Sequence, residues 1–335
     1  MSVPTAQNTS LSEGITAIEG VKVGHHTLSE RPTGCTIILT ESGATAAVDV
    51  RGSAPGTREI ALLDPTNTVN QVHAITLSGG SAFGLSVADG VMRYLEERNV
   101  GYDTGSAKVP IVPAAILYDL NLGSELSKRP TANCGYEAAR NASDDKIQEG
   151  SVGAGAGATV GKLGGPQRAM KGGIGTSLIE VPGGIKVAAL MAVNALGDIV
   201  NPDTGTIIAG VRTIDGRGFA DASTLLRQNF SRRTNHENTT IGVVATNVTL
   251  NKSQLGLIAR MAHDGMARAV RPSHTPSDGD IIFAIATGHI QGEANLLQIG
   301  SLAAEVTTEA IIRGVSTANS IPGYPSVRDF QGGVH

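Results

Sequence analysis

The residues best suited to chemistry lie in the stretch Asn238-Thr239-Thr240-Ile241-Gly242-Val243-Val244-Ala245-Thr246-Asn247. A polar turn runs straight into β-branched and small apolar residues, which predicts a hydroxyl held at the mouth of a buried strand. Before it, Ser231-Arg232-Arg233-Thr234-Asn235-His236-Glu237 is charged and aperiodic and reads as an exposed loop. A hydroxyl at such a junction is, on its own, also readable as a plain turn residue. The chemical reading is that the chain cuts itself between Asn238 and Thr239. Thr239 would then carry a hydroxyl nucleophile and its own base, the freed α-amine, on one residue. A threonine Oγ is a poor nucleophile without help, and an α-amine titrating at about 7.7–8.0 in small peptides suits the work of a general base. Asp278 and Asp280 flank a turn ahead of a second buried strand. Such pairs are common turn residues, but coupled to Thr239 and Thr240 they would orient and polarise the hydroxyl.

Other candidates are scattered. Residues 153–162, Gly-Ala-Gly-Ala-Gly-Ala-Thr-Val-Gly-Lys, resemble a phosphate loop at first sight. Leu163 after Gly161-Lys162 breaks the Walker pattern, and no matching βαβ unit supports a dinucleotide fingerprint. The better reading is a glycine tract that packs backbone against an active site and delivers Lys162. Asn194 ends a long apolar run, as a cap or as an oxyanion donor. Ser78-Gly79-Gly80-Ser81 opens a helix and offers N–H groups to an anion or carbonyl oxygen. The loop over residues 49–59 presents Arg51 or Arg58 to a substrate, or is a surface turn. The histidines form no HExxH set, so no metal is expected. Cys35 and Cys134 match no metal or redox spacing, so a reduced, cytoplasmic setting is expected.

The elements that must position these groups follow from periodicity. Residues 35–40 and 44–50 read as two strands of a hairpin about Glu41-Ser42-Gly43, and 72–77 as a strand. A helix is expected over 82–98 with Leu85, Ala88, Met92 and Leu95 inward. Residues 109–120 form an extended apolar segment ending in Tyr118-Asp119, and 134–141 a helix. Strands over 174–181 and 185–194 turn about Pro182-Gly183-Gly184, the second apolar on both faces. After Thr239 the order is strand, helix, strand, helix, with Leu255, Ile258, Ala262, Met266 and Ala269 on one helix face and Ile299, Leu302, Ala303, Val306 and Ala310 on the other. No repeat or linker divides the chain, which predicts one domain over 1–335.

Composition sets the class. The 335 residues are 40% hydrophobic and 17% charged, which is globular rather than disordered. Aromatics are 3% and Trp is absent, so Ala, Val, Ile and Leu must fill closely packed layers. A net charge of -4 without a basic run argues against nucleic acid as a partner. No apolar run approaches the roughly 18 residues that span a bilayer, and the first residues lack the basic and apolar regions of a signal peptide.

Taken together, Thr33-Gly34, the segment 48–52, residues 77–85, 109–120 and 153–162, Val193-Asn194, residues 238–247 and Asp278-Gly279-Asp280 resemble, in order and combination, a family of self-processing amidohydrolases. It includes L-aminopeptidase/D-amidase-esterase, β-peptidyl aminopeptidase and the nylon-oligomer endo-hydrolase. The resemblance implies a four-layer αββα sandwich, made as a precursor and cut into an α-subunit (1–238) and a β-subunit (239–335) that stay together, with a tetramer of αβ units as the expected assembly. It implies Thr239 as N-terminal nucleophile. Lys162, Asn194, Asp278 and Asp280 match the nylon-oligomer branch, and Tyr118 matches an active-site tyrosine of the aminopeptidase branch, which has Ser and Glu where Asp278 and Asp280 stand. Gly80 and Ser81 are expected to bind substrate. The implied reaction is attack of Thr239 Oγ on an amide carbonyl, with Asn194 and backbone N–H groups holding the oxyanion, Lys162 assisting by charge, and no cofactor. Two other classes are an acyltransferase of the ornithine acetyltransferase type, whose own cleavage motif is missing here, and an uncut binding protein.

Overall fold

A computed structural model describes residues 14–228 and 238–330. Its first hairpin joins β1 (Lys22–Thr27) to β2 (Gly34–Val50). β2 runs unbroken for 17 residues, so the hairpin expected about Glu41-Ser42-Gly43 does not form. Both halves of β2 pair with the same neighbour, β4 (Gln71–Ser78), and the register shifts between Leu39 and Ala44. Gly43, at φ 83, takes up the irregularity as a bulge-like bend.

The other strands of the main sheet are β3 (Thr57–Arg58), β5 (Ala114–Ile116), β6 (Gly173–Val181), β7 (Ile185–Val193), β8 (Ile241–Val248) and β9 (Ile281–Ile290). Nine strands form one hydrogen-bonded ladder, in the order β6-β7-β8-β9-β2-β4-β5-β3, with β1 also on β2. The helices that cover the sheet are α1 (Val87–Glu96), α2 (Ala132–Arg140), α3 (Lys252–Ala269) and α4 (Leu296–Ser316).

Side-chain alternation sorts the core into three seams. Leu190, Val243, Phe283 and Ile285 from one wing of the sheet meet Ile38, Ile75 and Leu77 from the other. The sheet is therefore folded on itself at the β2 bend. On the opposite face of the first wing, Met191, Val244, Ile282 and Ala284 pack under Leu255, Ile258 and Met266 of α3 and Ala303, Val306 and Ala310 of α4. On the outer face of the second wing, Ile37, Leu39 and Ala74 pack under Val87, Val91 and Leu95 of α1 and Ala138 of α2. The layer order is α, β, β, α, as expected.

Two local expectations change. The helix expected over 82–98 begins as a 3-10 turn, Ser81–Ser86, and becomes α-helical only at Val87. Leu85 and Met92 are consequently only partly buried. Gly90 lets α2 approach: a Cβ there would lie 1.6 Å from the Ala132 carbonyl oxygen. That approach helps bring Cys134 to Cys35, and the two form a disulfide across 99 residues, with Cα atoms 6.3 Å apart. The cysteines expected to be unpaired are therefore bonded; their separation in sequence carried no sign that α2 lies on β2.

Candidate active site

β8 and β9 are parallel neighbours in register, Ile241 opposite Ile281, so the segments leading into them run side by side. Asn238 N–H donates to the Ser277 carbonyl (2.9 Å), Gly279 N–H to the Asn238 carbonyl (2.8 Å), and Ile281 N–H to the Thr240 carbonyl (3.1 Å). The end of β7 arrives at the same place, where the Asn194 carbonyl accepts the Thr239 N–H at 3.1 Å. Three strand ends thus hold Thr239, which is 2% exposed. Its hydroxyl donates to the Asn238 carbonyl oxygen at 2.5 Å. That oxygen therefore receives both a hydroxyl and a backbone N–H, which polarises the carbonyl next to the threonine. The expected exposed loop at 231–237 lies outside the described residues.

Asp280 is brought to this point but not to the Thr239 hydroxyl. Its Oδ1 accepts the Thr240 N–H (2.8 Å), and its Oδ2 accepts the backbone N–H of His274 (2.9 Å) and contacts His274 Nδ1 (2.9 Å). It grips the backbone beyond the nucleophile rather than the hydroxyl. Asp278 Oδ2 accepts the N–H and hydroxyl of Thr275. Its Oδ1 is buried without a partner among the described residues. Burial first, and neighbouring Asp280 second, push the Asp278 carboxyl up to about 6.

Lys162 reaches the site through a backbone turn, as expected of the glycine tract. Its Nζ donates to the Asn194 carbonyl (2.9 Å) and to Asn194 Oδ1 (2.8 Å). The Asn194 carbonyl thus collects both Lys162 and the Thr239 N–H, so the lysine stands one acceptor away from the nitrogen that a cut would free. Asn194 Oδ1 also accepts the Thr159 N–H, and its Nδ2 donates to the Tyr118 carbonyl at 3.0 Å. Tyr118 is therefore tied to the site through its backbone. Lys171 stakes down the glycine tract from beneath, donating to the carbonyls of Gly155, Ala158 and Gly172.

Burial lowers both lysines to about 7 from an ordinary 10.5. Between those values the unfolded chain holds more protons than the folded one, so stability rises with pH across that window. Lys162→Met should remove its share of the slope. Urea melts of an uncut Thr239→Ala chain at about pH 7.5 and about pH 9.5 measure it. An unchanged slope would mean that Lys162 stays charged in the fold.

Gly80 and Ser81 have left-handed backbones, and their N–H groups are already used. Gly80 donates to Asp119 Oδ1 (2.9 Å), Ser81 to the Leu117 carbonyl (3.0 Å) and Gly79 to the Gly34 carbonyl (2.9 Å). The free anion-binding turn expected at 78–81 is thus a backbone brace, because the buried Asp119 carboxylate occupies it from within. Asp119 also accepts from Thr33 Oγ (2.6 Å) and pairs with Arg31 (2.7 Å), both side chains of the ion pair being 0% exposed. Of the two loop arginines, Arg51 engages Asp49 and the Arg260 carbonyl, and Arg58 engages Asp89.

Sequence reasoning missed Arg31, Lys171, His274 and Gly279. For Gly279 a signal existed, since it sits between the two aspartates. A Cβ there would lie 2.4 Å from the Ala54 carbonyl oxygen and 2.9 Å from Thr239 Oγ. Gly279→Ala should displace the N–H from the Asn238 carbonyl and slow any self-cleavage by about 10²-fold, the usual cost of losing one such donor. A gel time course reads it; cleavage at the wild-type rate would show that this N–H is dispensable.

This arrangement can be set beside known proteins. A sequence profile of peptidase family S58 matches residues 13–328. The chain belongs to that family. An uncharacterized aminopeptidase of Mycobacterium bovis is 39% identical over 94% of this chain and 97% of its own length. A 6-aminohexanoate-oligomer endohydrolase of Kocuria sp. is 31% identical over 88% of this chain and 83% of its own. In structure, a β-aminopeptidase from Burkholderia sp. gives a TM-score of 0.70 at 21% identity, covering 92% of this chain and 88% of that one. The L-aminopeptidase D-Ala-esterase/amidase of Ochrobactrum anthropi, described as a variant of the Ntn-hydrolase fold, gives 0.70 at 19% identity, covering 96% and 92%. The family expected from the scattered motifs is the one found. As a member of a peptidase family with an aminopeptidase relative of 39% identity, this chain is a hydrolase of amide or peptide bonds.

Proposed function

We propose that the chain matures by cutting itself between Asn238 and Thr239, and that Thr239 then hydrolyses small peptides or related amides. The observation that carries this reading is the Asn238 carbonyl oxygen, which holds the Thr239 hydroxyl and the Gly279 N–H together. In the self-cut, Thr239 Oγ attacks the Asn238 carbonyl carbon, the bond to Thr239 N breaks, and an ester links the two residues. Water opens the ester, leaving a carboxylate on Asn238 and an amine on Thr239. In turnover, Oγ attacks a substrate carbonyl and passes its proton to that amine, which hands it to the leaving amine. Water then releases the acyl group. Asn194 supports the oxyanion, Lys162 offers positive charge beside the amine below about pH 7 and a hydrogen-bond donor above it, Asp280 fixes the backbone of Thr240, and Asp278 sets the charge balance with Lys162. Gly80, Ser81 and Tyr118 shape the substrate side of the site.

The two cut pieces form one αββα unit. β8 and β9 lie in mid-sheet, with β2 from the first piece beside β9, so parting the pieces would expose a large apolar core. Assembly into a tetramer of such units and a cytoplasmic setting belong to the same proposal. Sedimentation and fractionation, with thiol counting at Cys35 and Cys134, test them. Similarity to 6-aminohexanoate-oligomer endohydrolases places nylon-type oligomers among the substrates to try. The test of the function is release of amine from amino-acid p-nitroanilides and 6-aminohexanoate oligomers by purified mature protein. Release by the wild type and none by Thr239→Ala supports it; no release from any amide by the mature wild type overturns it.

A further inference from the structure

We infer that His274 is a positioning residue for the nucleophile, acting through Asp280. This deepens the reading of Thr239 given above and rests on it. The peptide that follows Thr239 is held by one side chain, since the Thr240 N–H donates to Asp280 Oδ1. That bond fixes the plane from which the Thr239 Cα–Cβ bond projects, and so the direction of Oγ. A carboxylate's own torsion is broad, so one bond does not set it. The second anchor is His274, whose Nδ1 lies 2.9 Å from Asp280 Oδ2. Oδ2 already accepts the His274 N–H, and we take Nδ1 to donate to the same oxygen.

His274 is itself held in place. Its left-handed backbone, φ 54, turns its own N–H onto the same Oδ2 at 2.9 Å. Its ring packs edge-on against His263, with centroids 4.8 Å apart. Burial lowers His263 to about 4, so it is neutral, and its Nε2 meets the Asp49 carbonyl at 3.1 Å. The pair Asp280–His274 is largely shielded, with side chains 3% and 19% exposed, so its bond is little weakened by water. The backbone N–H of residue 274 survives any substitution except proline, so side-chain variants leave that bond in place, and comparing kcat with the melting point of each variant separates the Nδ1 bond from strain at the left-handed φ of 54.

His274→Asn keeps a donor near the place of Nδ1, and His274→Leu keeps a similar size without one. His274→Leu should slow both self-cleavage and kcat on an amino-acid p-nitroanilide by about 10- to 100-fold with KM within about 2-fold, because aim matters most in the transition state. His274→Asn should recover activity to within about 5-fold of wild type. Three results overturn the inference: His274→Leu matching wild type, His274→Asn as slow as His274→Leu, or His274→Leu failing to fold where His274→Asn folds, which would make the bond structural only. A wild-type chain that never matures removes the Thr239 reading itself; a maturing wild type beside an indifferent His274→Leu removes only this inference.

Discussion

Thr239→Ala should stay a single chain of 34.3 kDa and release no amine from any amide the wild type cleaves. Both reactions use one oxygen, so both should fail together, with turnover down by on the order of 10⁴ or more, the scale seen when a hydrolase loses its nucleophile. The loss should not come from unfolding. Thr239 Oγ donates only to the adjacent carbonyl, and that carbonyl keeps the Gly279 N–H. The alanine chain should therefore melt close to the uncut wild type. Thr239→Ser should keep part of both activities, since it retains the hydroxyl and loses only a methyl. Gels over time and p-nitroanilide release measure the two arms. An alanine variant that still cuts, or still turns over, would place the nucleophile elsewhere.

Arg31→Met should cost about 3–5 kcal/mol of stability, the usual penalty for leaving one buried charge without its partner. Arg31 donates to the carbonyls of Leu122, Lys128 and Asp119 as well as to the Asp119 carboxylate. Burial pushes the Asp119 carboxyl upward, and Thr33 and Arg31 pull it back. Without Arg31 the carboxyl loses its ion-pair partner among the described residues, and its hold on the Gly80 N–H should weaken. The effect should pass to activity, because residue 118 carries the carbonyl that aims the Asn194 amide. The pair Arg31→Met with Asp119→Leu should recover much of the stability without recovering the aim of Asn194. Urea unfolding measures the first part and kcat the second. A single Arg31→Met variant within about 1 kcal/mol of wild type would mean that the pair is not a keystone.

How much of this was legible in the sequence depended on range. Strands β6 to β9 and helices α3 and α4 follow from periodicity, because each buries one face or both over many residues. The β2 hairpin failed because Glu41-Ser42-Gly43 has turn chemistry, and only the pairing with β4 shows that the chain continues as one bent strand. Thr239, Asp278 and Asp280 could be joined because each segment leads into a buried strand, Lys162 through the glycine tract before it, and Asn194 through its place at the end of an apolar run, with the resemblance adding to all of them. The hydrogen-bond partners of Asp280 and of the turn at Gly80 were not foreseen. Asp280 takes Thr240, 40 residues back, and His274, six residues back across a turn, and the Gly80 turn takes Asp119, 39 residues on. Arg31 has no local signature: its meaning comes from Asp119, 88 residues on.

The most direct test of Thr239 as a self-made N-terminal nucleophile is an intact-mass spectrum of the purified wild-type protein, with sequencing of any new N-terminus. Scaling 34.3 kDa by length gives fragments of about 24 and about 10 kDa for 1–238 and 239–335. Two such masses, the smaller beginning at Thr239 and both eluting together under native conditions, are the expected result. One full-length mass from protein that hydrolyses amides, or a second N-terminus at Thr240 or elsewhere, would contradict it.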